Sequence, residues 1–157
     1  MKTPLHVLLI EDVEDEALLL GYELERQGCS LVCERVDTPA ATEAALRRQA
    51  WDVVICDYKL PHFDFSAALA LVKAFDQDLP FILVSGTVGE ESAVACMKAG
   101  AHDYVMKNNL SRLLPAIERE LREAEIRRQK RRARSHMELQ ERSAEWSARR
   151  RSRSVRE

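Results

Sequence analysis

The chain has 157 residues, 46% of them hydrophobic and 32% charged, which suits one domain with a substantial core plus an appendage. It contains no run of eighteen uncharged apolar residues, which excludes a membrane-spanning helix. The net charge of −2 hides a division: residues 1–117 carry 10 Lys/Arg and 18 Asp/Glu, residues 118–157 carry 14 and 8, so an acidic body precedes a basic tail.

Strand and helix signals alternate five times. The apolar run Leu5–Ile10 reads as a strand; it is too short for a signal peptide and lacks a small-residue cleavage site, so a cytoplasmic protein is expected. A helix follows over 14–27 with Val13, Ala17, Leu20 and Leu24 on its apolar face, and Gly28 stops it. Leu31–Val36 is a second strand, and Thr38-Pro39 signals a helix over 39–49. Val53–Asp57 is apolar almost throughout, as expected of a central strand covered on both faces. A helix over 66–75 presents Ala68, Leu71, Val72 and Phe75, Phe81–Ser85 is a fourth strand, and a helix over 89–98 ends at Gly100. Asp103–Met106 is the fifth strand, and a last helix begins near 111–115. Five βα units of this length predict an α/β fold, a doubly wound parallel sheet with helices on both faces.

The last helix carries an apolar seam at Leu110, Leu114, Ile117, Leu121 and Ala124, after which the seam positions become Arg128 and Arg131. Burial is therefore expected to stop near Ala124. Residues 1–124 form the expected domain, and 125–157 a basic helical extension that loses order past about 134. The arginines of 127–134 have no accompanying aromatic or recognition motif, so a solvated helix face is expected rather than a nucleic-acid grip. The four cysteines read as ordinary thiols, and the four histidines have no ligand-spaced partners.

Polar residues close the strands. Leu5–Ile10 runs into Glu11 and Asp12, Val53–Cys56 into Asp57, Phe81–Val84 into Ser85, and Tyr104–Met106 into Lys107. Parallel strands put all of these at one carboxyl edge, where open α/β sheets bind ligands. Carboxylates gathered there repel one another unless a cation joins them.

This order, with Asp57-Tyr58-Lys59-Leu60-Pro61 and Val84-Ser85-Gly86-Thr87, resembles the receiver domain of two-component response regulators over about residues 2–124. The resemblance implies a flavodoxin-like sheet of order 2-1-3-4-5 and a phosphoacceptor, not a turnover enzyme. It implies Asp57 as the nucleophile that takes a phosphoryl group from a histidine kinase or phosphotransfer protein. A carboxylate is already ionised at neutral pH and needs no activating base. Mg²⁺ is the implied cofactor, held by Asp12, Asp57 and the backbone carbonyl of Lys59, with Glu11 reaching it through water. Mg²⁺ prefers six oxygens and takes few carboxylates directly. Lys107 is implied as the second cation and Ser85 as a hydroxyl donor to the phosphoryl oxygens. Ser85 and Tyr104 are implied as the switch that alters the face formed by the fourth helix, fifth strand and last helix. Any homodimer is expected to form through that face, and the downstream target is one the residues do not name. Lys59 and Thr87 flank the site and are expected to tune phosphoryl lifetime.

Two departures stand out: Phe65 where the family has glycine, and Asn108 after Lys107 where it has proline. The latter predicts a trans bond or a strained turn. Alternative readings are a receiver from the front of a larger sensor kinase or cyclic-dinucleotide enzyme, and a regulator with a DNA-binding basic tail. An aspartyl phosphatase is disfavoured by Lys59 where those enzymes resemble Asp-x-Asp. A nucleotide site is disfavoured by the acids of 11–16, which repel a bare phosphate.

Overall fold

The structure, a computed structural model, describes residues 3–86 and 89–156. Thr87 lies outside the described residues. The chain divides into two compact units, Met1–Ala124 and Glu125–Glu157.

In the first unit the strands are β1 (Leu5–Ile10), β2 (Leu31–Val36), β3 (Val53–Asp57), β4 (Phe81–Ser85) and β5 (Asp103–Met106). They form one parallel sheet in the order β2-β1-β3-β4-β5. The helices are α1 (Glu14–Arg26), α2 (Pro39–Arg48), α3 (Phe65–Phe75), α4 (Glu90–Ala99) and α5 (Leu113–Arg156), with a 3₁₀ segment, Lys107–Arg112, between β5 and α5. This is the flavodoxin-like architecture expected of the sequence. β3 and β4 are buried at every position because alternate side chains enter two different cores. Leu8, Ile10, Val54, Cys56, Phe81 and Leu83 face one core, which includes Leu46, Leu69 and Val72 from α2 and α3. Val7, Leu9, Val53, Ile55, Ile82 and Val84 face the other, which includes Leu20, Leu24, Leu113 and Ile117 from α1 and α5.

Local chemistry sets the helix ends. Thr38 caps α2 by accepting the Ala41 N–H, with Pro39 in the first turn, and Asp64 caps α3 by accepting the Ser66 N–H. α4 ends on Gly100 at φ 118°, the left-handed conformation that glycine adopts without penalty. The cap of α3 also resolves the Phe65 departure. Phe65 is the first helical residue, and its ring lies against Tyr58 at 5.5 Å between centroids, so no glycine-only backbone is required there. The described peptide bonds are all trans, the one between Lys107 and Asn108 included.

Three helix readings need correction. Val13 is not on the buried face of α1; it is the N-cap residue and 42% exposed. Phe75, at the C-terminus of α3, is 51% exposed, and Leu69 takes the core position instead. On α5 the fully buried residues are Leu113, Ala116, Ile117, Glu120 and Ala124, with Leu114 and Leu121 at the margin. The seam is thus rotated from the pure leucine pattern.

In the second unit, helix runs through Arg156, beyond the position near 134 up to which helix formers dominate the sequence. No apolar seam accounts for it. The residues are mostly strong helix formers, and pairs one turn apart link them, as Gln140 with His136 at 3.0 Å and the Arg150 guanidinium over the Trp146 ring at 5.2 Å. No helix among the described residues is long and apolar enough to cross a membrane.

Candidate functional site

The register brings the polar strand ends together. Ile10 pairs with Cys56, Asp57 with Val84, and Ser85 with Met106, so Glu11, Asp57, Ser85 and Lys107 all emerge at the carboxyl edge of neighbouring strands. The exit from β1 is fixed from β2: the Glu11 N–H donates to the Val36 carbonyl at 3.0 Å, and Arg35 Nη1 donates to the Glu11 carbonyl at 3.2 Å.

Glu11, Asp12 and Asp57 each offer a carboxylate oxygen, and these oxygens lie within 4.8 Å of one another. Among the described residues this is the one group of three or more His, Cys, Asp or Glu side chains so arranged, and no histidine joins it. Glu11 is only 2% exposed. Its Oε1 accepts the Val13 N–H at 3.1 Å, while buried Oε2 has no hydrogen-bond donor among the described residues. Burial drives its pKa up to about 8; the Val13 N–H pulls it down, and hydrogen bonding and repulsion from Asp57 raise it further. A buried oxygen with no donor, facing two further carboxylates, fits a hard cation that prefers oxygen ligands.

Lys107 brings the positive charge. Its Nζ lies 3.2 Å from Asp57 Oδ2 and 3.6 Å from Glu11 Oε2, and it also pairs with Glu16 on the first turn of α1. Burial pulls the ammonium's pKa down, but Glu16, Asp57 and Glu11 outweigh that and hold it above its ordinary value. Asp57 Oδ1 accepts the Lys59 N–H at 3.2 Å, which orients the carboxylate from the loop after β3. Ser85 is 1% exposed, and its Oγ has no hydrogen-bond partner among the described residues. Gly86 sits beside the Lys107 stem: a Cβ there would meet Lys107 Cδ at 3.9 Å.

Tyr104 belongs to a different part of the same strand. It pairs with Leu83 in register, packs partly buried against the first core, and lines an apolar groove with Ala93, Val94 and Met97 of α4. Arg112 borders this groove and is tied down, donating to the Tyr104 carbonyl at 2.9 Å and to Asp103 Oδ1 at 2.7 Å; Arg119 reaches Asp103 Oδ2 at 3.2 Å. Glu16 is the site residue that sequence reasoning missed. Its helix turn reads Glu14-Asp15-Glu16, and nothing in that spelling says which acid faces the sheet edge.

The response regulator receiver domain family matches residues 7–118, which take in β1 from Val7 onward, the other four strands and the whole strand-end constellation. The chain belongs to that family. The receiver is 31% identical over 126 residues to the nitrogen assimilation regulatory protein NtrX of Azorhizobium caulinodans, covering 78% of this chain and 27% of that protein. Among solved structures it is similar to NtrX from Brucella abortus in complex with ADP, at TM-score 0.71 and 25% identity over 84% of this chain and 29% of that one. It also shares its fold with the receiver domain of the sensor histidine kinase PA1611 from Pseudomonas aeruginosa, whose structure holds a magnesium ion in the active-site cleft (TM-score 0.64, 21% identity, 76% of this chain and 98% of that one). The chain spans between 16% and 51% of the length of the curated relatives it matches.

Proposed function

We propose that this receiver is a Mg²⁺-dependent phosphoacceptor in which Asp57 takes a phosphoryl group from the phosphohistidine of a histidine kinase or phosphotransfer protein. The observation that carries this reading is the pairing of two charges at one strand edge. Three carboxylates lie within 4.8 Å of one another, and an ammonium stands 3.2 Å from the one that ends β3. An Asp57 oxygen forms the new P–O bond as the P–N bond breaks and the donor imidazole leaves; hydrolysis later returns the carboxylate. The protein is thus a self-dephosphorylating phosphoacceptor and not a turnover enzyme.

Asp12 and Asp57 are the direct metal ligands in this reading, the Lys59 carbonyl is a third, and Glu11 acts through water. Bound Mg²⁺ supplies neutralisation of phosphoryl oxygen charge. Lys107 holds one phosphoryl oxygen by charge. The Ser85 hydroxyl, buried and without a hydrogen-bond partner among the described residues, donates to another. Movement of Ser85 toward that oxygen frees space for Tyr104 to turn inward. The groove between α4 and β5 then changes shape, and a partner or second copy reads it. The receiver occupies 1–124, 125–157 is a basic helical extension, and the working compartment is the cytoplasm.

The test is labelling with acetyl phosphate and Mg²⁺, followed by intact mass. A base-labile mass increase is expected, lost in Asp57→Asn and retained in Asp52→Asn. Labelling that survives Asp57→Asn overturns the reading.

A further inference from the structure

We propose that Glu16 is a positioning residue: it is the resting counter-ion of Lys107 and gives the ammonium up when a phosphoryl group occupies Asp57. The inference rests on the phosphoacceptor reading above and assigns a role to a residue outside its machinery.

Lys107 Nζ has three protons and faces three carboxylates. Two of them, Glu11 and Asp57, belong to the acidic group that suits a divalent cation. Glu16 does not. It stands on the first turn of α1, and its side chain is 41% exposed. A cation on the acidic group competes with Lys107 for Glu11 and Asp57 but not for Glu16, which leaves Glu16 as the lysine's remaining partner. A phosphoryl group on Asp57 changes the balance. It brings extra negative charge onto a carboxylate already 3.2 Å from Nζ, so Lys107 meets it with little side-chain movement. A half-exposed single carboxylate is a weak competitor for a dianionic group.

Removing the Glu16 charge therefore has two effects of opposite sign. Lys107 loses its competing partner and engages a phosphoryl mimic more readily. In the unphosphorylated protein the same lysine falls back on Asp57 and Glu11, where it opposes the metal. A residue that merely supports α1 would weaken both interactions or neither.

The experiment uses the full chain. Mg²⁺ alone is titrated calorimetrically, and beryllofluoride is then titrated at saturating Mg²⁺, for wild type, Glu16→Gln, Glu16→Ala and Glu14→Gln. Both Glu16 variants are expected to bind Mg²⁺ roughly two- to five-fold more weakly and beryllofluoride roughly two- to five-fold more tightly, the range of a partly solvated ion pair. Glu14→Gln removes an exposed charge from the same turn and is expected to shift neither. Two results overturn the proposal: shifts of the same sign, or no shift, in the Glu16 variants, or the same pair of shifts in Glu14→Gln. Wild-type protein that binds beryllofluoride equally well as Asp57→Asn overturns the phosphoacceptor reading itself, which separates the two failures.

Discussion

Lys107 Nζ lies 3.2 Å from Asp57 Oδ2, although the strands that end on these residues are not hydrogen-bonded neighbours: β4 lies between β3 and β5. The link spans the sheet edge over Ser85, whose Oγ is buried there with no hydrogen-bond partner among the described residues. One ammonium therefore joins the Asp57 carboxylate to the strand that carries Tyr104.

That bridge predicts the phenotype of Lys107→Ala. The variant keeps the acidic group and should bind Mg²⁺ at least as well as wild type, since a cation competing for Asp57 and Glu11 is gone. It should still accept phosphoryl groups from acetyl phosphate, more slowly, but the Tyr104 environment should not respond. Tyrosine-sensitive NMR shifts with and without beryllofluoride check this; a Tyr104 response equal to wild type would show that the coupling runs elsewhere.

Direct and water-mediated ligands should separate in a metal titration. Asp12→Ala should cost more Mg²⁺ affinity than Glu11→Ala, whose loss should stay within the roughly 10- to 100-fold typical of outer-sphere partners. Calorimetric titration of the two variants side by side decides it, and equal losses would place both carboxylates in the same coordination sphere.

Much of this site is legible in the sequence. Central strands such as Val53–Asp57 are continuous apolar runs, and each ends on its one polar residue, so the edge could be read as a list of chemical groups. Helix faces were harder. Val13 and Phe75 fit the periodicity, yet they lie at helix ends, where the chain has already left or not yet entered the packed layer. Glu120 is buried on α5, where its Oε1 accepts from Arg119 Nη2; the same guanidinium atom reaches Asp103 Oδ2 from 16 positions away, a link that no local pattern encodes. The contact of Glu16 with Lys107 joins residues 91 positions apart and depends on the rotation of α1 against the sheet.

Glu11 makes the metal-free protein pH-dependent. Its folded pKa is raised from 4.5 to about 8, with burial as the main cause. Between those values the native state holds a proton that the unfolded chain has lost, so stability falls as pH rises through the window. Thermal unfolding without Mg²⁺ should show a melting temperature that declines from about pH 5 to pH 8, a slope that Glu11→Gln flattens because glutamine is neutral throughout. With Mg²⁺ present the metal displaces the same proton, so affinity should strengthen as pH rises. A slope that Glu11→Gln leaves unchanged would assign the titration to another group.

Truncation after Ala124 should leave the phosphorylation-dependent behaviour intact. The buried residues of one core end at Ala101 and those of the other at Ile117, and Ala124 is the last fully buried position on α5 among the described residues. The groove expected to change shape, between α4 and β5, is also lined from within the first unit. Beyond Ala124 the side chains are largely exposed, and seam positions Arg128 and Arg131 would face their own twins in a parallel coiled coil, which disfavours that assembly. Any dimer induced by beryllofluoride should therefore persist in the truncated protein, while association contributed by the extension should weaken with salt, since exposed charges more than about 10 Å apart are largely screened at 0.1 M. Light scattering of both forms, with and without beryllofluoride and across a salt series, checks the expectation. A truncated protein that loses all of the dimerisation seen in the full chain would make the extension the assembly element, and the α4–β5 groove would then need a different reader.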